Sequence, residues 1–87
     1  MSKNHYILGL SSFSSKKNAK DISHELVKQG IAACVNIIYG VDSIYSWNNK
    51  IIEEKEIIIL IKTLYSNQEK VKKFIKEHHK YKNPELI

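Results

Sequence analysis

Arginine is absent from this chain of 87 residues; all 14 of its basic side chains are lysines. Arginine is the side chain that reads phosphate and guanine bidentately. A formal charge of +5 is therefore weak support for a nucleic-acid partner. Lysine, isoleucine and asparagine are all abundant, a bias of the kind that genome base composition imposes. Cysteine occurs once, at Cys34, so no intrachain disulfide can form and a reducing compartment suits the chain. The apolar run "YILGL" is too short for a signal-peptide core. No stretch approaches the roughly 20 apolar residues that span a bilayer. These absences point to a soluble cytoplasmic protein without a membrane partner. Repeats, linkers and low-complexity segments are also missing. So are a G-x-S-x-G elbow, a phosphate-binding loop and a dinucleotide fingerprint.

What remains is one domain of ordinary globular composition, 43% apolar and 26% charged. A chain of this length buries roughly 60–65% of its unfolded surface, so a spacious interior pocket is excluded. Residues 5–11, "HYILGLS", read as a short buried strand. Helical spacing follows in "SFSSKKNAKDISHELVKQG", where Ala19, Ile22, Leu26 and Val27 share a face. Ser14 or Ser15 is placed to cap its start and Gly30 to end it with positive φ. "IAACVNIIYGVDSIYSW" and "IIEEKEIIILIKTLY" are rich in β-branched and aromatic residues and predict two long strands. Between them "NNK" forms a tight turn, with Asn49 tolerant of left-handed geometry. Gly40 marks a bulge or bend. The run Ile57 to Ile61 is apolar on both faces, so both should be covered.

"SNQEKVKKFIKEHHK" predicts a second helix. Ser66 and Glu69 have capping-box spacing. Val71, Phe74, Ile75 and His78 recur at i, i+3, i+4 and i+7. Pro84 then forbids helical continuation, and "ELI" begins another strand. The order β-α-β-β-α-(β) is the split β-α-β, ferredoxin-like arrangement of an α+β fold. Its helices cover one face of an antiparallel sheet, its β2-β3 hairpin is long, and its last strand is a stub.

His78 lies on the apolar stripe and points toward the sheet. It reads either as a partly buried histidine satisfied by one hydrogen bond or as a metal ligand or proton-transfer group. His79, one step round the helix, should be more exposed. The pair makes a poor two-ligand clamp unless the helix ends between them. Glu85 approaches the imidazole only if the chain turns back; otherwise it is a solvated acid. Cys34 reads as a small buried hydrophobe, and His24 as a surface residue. Ser11, Ser12, Ser14 and Ser15 form a serine-rich loop that capping and turns explain. The lysines of the second helix are a solvated face. RNA recognition on this topology needs strand aromatics, and "IIEEKEIIIL" offers acids instead, so a nucleic-acid partner is not expected.

The stretch "GIAACVNIIYGVDSIYSWNNKIIEEKEIIILIKT" closely resembles the CutA divalent-cation-tolerance family, and "HHKYKNPELI" resembles that family's second block. The likeness covers essentially the whole chain. It implies a ferredoxin-like subunit that assembles as a homotrimer through its long hairpins, serves in divalent metal ion (copper) tolerance and is not an enzyme. It also implies a metal site at Ser11, His78 and Glu85. Ser11 stands where the family's ligand is a cysteine, which disfavours soft copper(I) and leaves a weaker N/O site for copper(II) or zinc. Lys80 and Tyr39 stand where the family has proline, and Asn49 where it has a turn glycine; Lys80 permits a longer second helix. Family members continue beyond "PELI", so the likeness implies one domain, 1–87, lacking the C-terminal strand and helix. The alternative is a structural or signalling trimer that binds a small anion or a protein partner in its inter-subunit clefts, near Lys50, Lys62 and Lys82.

Overall fold

A computed structural model describes residues 5–81 and 85–87. Strand β1 (Tyr6–Phe13) leads into helix α1 (Lys16–Lys28). The long strands β2 (Cys34–Trp47) and β3 (Lys50–Leu64) follow, then a 3₁₀ turn at Tyr65–Asn67 and helix α2 (Gln68–His78). The sheet order is β1-β3-β2, antiparallel throughout. This is the ferredoxin-like α+β arrangement that the order of elements predicts. On the edge of β1 away from β3, Ile87 and Leu10 exchange both backbone hydrogen bonds, at 2.9 and 2.7 Å.

Helix α1 begins where a serine can cap it. Ser15 has extended backbone, and its Oγ accepts the Asn18 N–H at 3.1 Å. It ends at Gly30, whose φ of +72° is open to glycine at little cost. Ile31 N–H reaches the Leu26 carbonyl and Gly30 N–H reaches that of Val27, both at 3.0 Å. This pair of bonds is the Schellman motif. Ala19, Ile22 and Leu26 are buried as the spacing predicts, while Val27 lies at the exposed rim.

The hairpin turns on Asn48 and Asn49, both with positive φ, between the paired residues Trp47 and Lys50. Two left-handed residues form the primed turn whose twist matches that of the flanking strands. At Gly40 the register jumps from Ile38–Ile58 to Val41–Glu56, the expected bulge.

Ile57, Ile59 and Ile61 of β3 point to the helices and join Phe13, Leu26, Val71, Phe74 and Ile75 in one core. The opposite face is not covered as the sequence predicts. Ile58 and Leu60 are only half-buried there, and Leu8 and Ile38 beside them are exposed.

The predicted capping box does not form. Ser66 falls in the 3₁₀ turn, α2 starts at Gln68, and its N-cap Asn67 makes no side-chain capping bond. Asn67 Nδ2 instead donates to Thr63 Oγ1 at 3.2 Å, and that hydroxyl donates to the Ile31 carbonyl at 2.6 Å. Thr63 thus links the start of α2 to the segment after α1, 32 residues earlier. Lys80 does not prolong α2, which ends at His78; Pro84 lies outside the described residues.

Ser23 Oγ is buried without a hydrogen-bond partner among the described residues. Removing it relieves a desolvated hydroxyl and raises helix propensity. Ser23→Ala is therefore expected to raise the unfolding free energy by about 1 kcal/mol in urea titrations. A lower stability in the variant would contradict this account.

Candidate functional site

The C-terminal segment returns along β1 and brings Glu85 to Ser11, whereas the contacts of His78 are with Phe74 and Asn18. Ser11 is not in a loop. Strand β1 runs on to Phe13, and Ser11 is fully buried on its helix-facing side. Its hydroxyl donates to the backbone carbonyl of Glu85 at 2.5 Å. The fold thus joins Ser11 to Glu85 through main chain, while the Glu85 residue is exposed. A buried hydroxyl already engaged in this way is ill suited to serve as a metal donor.

The two histidines exchange the roles that helical phase assigns them. His78, the last residue of α2, is exposed. Its Nδ1 lies 2.9 Å from the Phe74 carbonyl, and its ring stacks on Phe74 at 4.1 Å. A carbonyl only accepts, so Nδ1 carries the proton and Nε2 keeps its lone pair.

His79 is the buried one, 8% exposed. It has left helical geometry, with ψ of 140°, so the 100° step from His78 no longer applies. Its ring stacks on Phe13 at 4.0 Å and meets Tyr81 at 4.6 Å. Nε2–H donates to the Ser12 carbonyl at 2.6 Å, and Nδ1 accepts the Tyr81 N–H at 3.0 Å. Both nitrogens are committed, in the neutral form. Burial holds its pKa below the ordinary value, partly opposed by the bond to Ser12.

Neighbouring contacts pin the same segment. Asn18 Nδ2 donates to the His78 carbonyl at 3.4 Å, and Asn18 Oδ1 accepts the Lys80 N–H at 3.3 Å. The Tyr81 hydroxyl donates to Glu56 at 3.1 Å. Sequence reasoning missed Asn18 and Phe13 as partners of the histidine pair. Its one usable signal was that two adjacent histidines can divide their duties if a helix ends between them.

Cys34 is exposed rather than buried, because it opens β2 opposite Lys62 on the uncovered face. His24 is exposed on α1 as predicted. Lys50 and Lys62 stand at opposite ends of β3, about 40 Å apart at strand rise. One chain cannot bring them to a common anion; Lys82 lies outside the described residues. Among the described residues, no group of three or more His, Cys, Asp or Glu side chains is arranged to hold a metal. No helix is long and apolar enough to cross a membrane.

The molecule is thus a small protein of ferredoxin-like α+β fold. The family model for the CutA1 divalent ion tolerance protein matches residues 7–87, and the chain belongs to that family. It is 38% identical over 73 residues to the divalent-cation tolerance protein CutA of Thermus thermophilus, covering 84% of this chain and 71% of that protein. The solved Thermus structure superposes with a TM-score of 0.88 at 35% identity, over 95% of this chain and 81% of that one. Against CutA of Escherichia coli the identity is 35% over 69 residues, covering 79% of this chain and 62% of that protein. The CutA1 structure from Oryza sativa gives a TM-score of 0.91 at 29% identity, over 98% of this chain and 78% of that one.

Proposed function

We propose that this protein acts in divalent metal tolerance as a cytoplasmic, non-catalytic homotrimer, and that it holds copper(II) or zinc weakly through His78 and Glu85. The observation that carries the metal reading is the His78 ring. Its Nδ1–H is tied to the Phe74 carbonyl and its Nε2 is left on an exposed ring. That second bond orients metal-binding histidines and raises their basicity. Glu85 adds a hard oxygen donor on the segment that Ser11 anchors. One imidazole and one carboxylate suit a borderline cation and give low affinity; further donors would come from water or neighbouring chains.

The trimer reading rests on apolar surface. Ile44, Trp47 and Ile51 are 66%, 65% and 75% exposed at the hairpin end. Together with the uncovered sheet face they leave several large apolar side chains in water, the kind of surface that marks a protein contact.

Calorimetric titration with copper(II) tests the site. His78→Ala is expected to weaken binding by at least about tenfold, a loss of roughly 1.4 kcal/mol. Equal affinity in wild type and variant would sink the site and favour a trimer whose clefts serve another ligand.

A further inference from the structure

Charge is sorted between the two layers of the fold. Helices α1 and α2 carry eight lysines against four carboxylates. The three strands carry three lysines against four carboxylates. Base composition raises lysine everywhere alike; it does not gather the excess onto one layer. All eight helix lysines are exposed. Two are tied to carboxylates of their own helix, Lys17 to Asp21 at 2.7 Å and Lys72 to Glu69 at 3.5 Å. Lys16 lies over the Tyr39 ring, 5.5 Å from its centre. Lys20, Lys28, Lys70, Lys73 and Lys76 make no ion pair among the described residues.

Helical spacing sets these charges in rows. On α1, Lys16, Lys20, His24 and Lys28 follow at four-residue steps, each about 6 Å of rise. On α2, Lys73 and Lys76 lie on the side away from the buried Val71, Phe74 and Ile75. Lys80 comes just past the helix end, where Asn18 of α1 accepts its backbone N–H at 3.3 Å. The end of α2 therefore stands beside the start of α1, and the two rows share one outer surface. That surface works against its own helices. The first turn of α1 holds Lys16 and Lys17 and no acid, where the helix dipole favours negative charge. Lys16 and Lys20, and Lys72 and Lys76, are like charges at i, i+4, which repel. Interspersed signs would keep the protein in solution without either cost.

We propose that this helix face binds a linear chain of linked phosphates, an inorganic polyphosphate, laid across both rows. Lysine meets phosphate as a point charge on a flexible stem, without the fixed fork of arginine, which suits a flexible polyanion. Among the exposed large apolar residues only Val27 belongs to a helix. The face thus has no aromatic ring on which a base could stack. It also lacks the row of apolar anchors by which a peptide or a bilayer is held. Charge density is the one property it can recognise. The site needs no metal, lies across the sheet from the uncovered face, and stands independently of the function proposed above.

The probe is a linear inorganic polyphosphate with a fluorescent end label, titrated with the full chain and followed by anisotropy. Raising salt from about 50 to about 200 mM is expected to weaken binding at least about tenfold, because neutralised phosphates release counterions. The triple variant Lys20→Gln, Lys73→Gln, Lys76→Gln should weaken it at least about tenfold. Lys50→Gln, Lys55→Gln, Lys62→Gln removes the same charge from β3 and should weaken it less than about threefold. All six positions are exposed, and far-ultraviolet circular dichroism checks that both variants stay folded. Equal losses in the two variants would trace binding to net charge alone and overturn the proposal. So would the absence of binding at about 50 mM salt. Displacement of the probe by oligothymidylate or polyglutamate as readily as by unlabelled polyphosphate would overturn it too.

Discussion

Replacing His79 with alanine is expected to lower the unfolding free energy by about 3 kcal/mol, whereas His78→Ala should lower it by under about 1 kcal/mol. The two side chains are chemically identical and adjacent, so only their surroundings can separate them. His79 sits against Phe13 in the core, stacked at 4.0 Å, and commits both ring nitrogens. Truncation opens a cavity, removes a stacking contact and strands the Ser12 carbonyl and Tyr81 N–H. His78 loses one bond and one stacking contact at the surface. Urea denaturation of both variants measures the difference. Equal losses would show that the inward and outward assignments are wrong.

The same ring makes stability depend on pH. Burial holds the His79 pKa below its ordinary value of 6.5. The unfolded chain therefore takes up a proton at a pH where the folded chain does not. Its contribution to stability is complete above 6.5 and falls as pH drops from there toward the folded value. Wild type should thus lose stability between about pH 7.5 and about pH 5, and His79→Ala should lose less over that interval. Protonation would also cost the Tyr81 N–H its acceptor at Nδ1, freeing the segment that Ser11 and Asn18 otherwise hold.

Sequence order alone carried most of the architecture, because its signals are local. Gly30 and the Asn48-Asn49 pair need positive φ, and nothing distant competes for those positions. The alternation of Ile57, Ile59 and Ile61 follows from the pleat of β3. What failed was decided by contacts far along the chain. Ser66 falls in a 3₁₀ turn instead of a capping box, and the Asn67 that follows is tied through Thr63 to the carbonyl of Ile31, 32 positions before Thr63. The phase of His78 and His79 turned on where α2 stops, and residues sixty positions earlier help hold that end through Asn18. Ser11 looked like loop because its strand is buried by its own C-terminal segment rather than by apolar neighbours in sequence. The candidate site was therefore legible as residue types but not as geometry.

Leu60→Lys is expected to turn the proposed trimer into monomers while leaving the single chain folded. Leu60 lies midway along the uncovered face of the central strand, paired with Leu10 on one side and Asn36 on the other. It is half-buried in the single chain, so a lysine there can reach water and unfolding should change by about 1 kcal/mol or less. In an assembly the same position would be sealed among apolar side chains. An unpaired ammonium at each of several related positions would then carry a desolvation penalty of several kcal/mol apiece. Few interfaces built on exposed apolar area alone survive a penalty of that size. Sedimentation should give three-chain particles for wild type and single chains for the variant, with unchanged far-ultraviolet circular dichroism. If the variant sediments with wild type, the face is not the contact surface. If wild type is itself monomeric at micromolar concentration, Leu8, Ile38, Ile58 and Leu60 stand open in solution and the trimer reading fails with them.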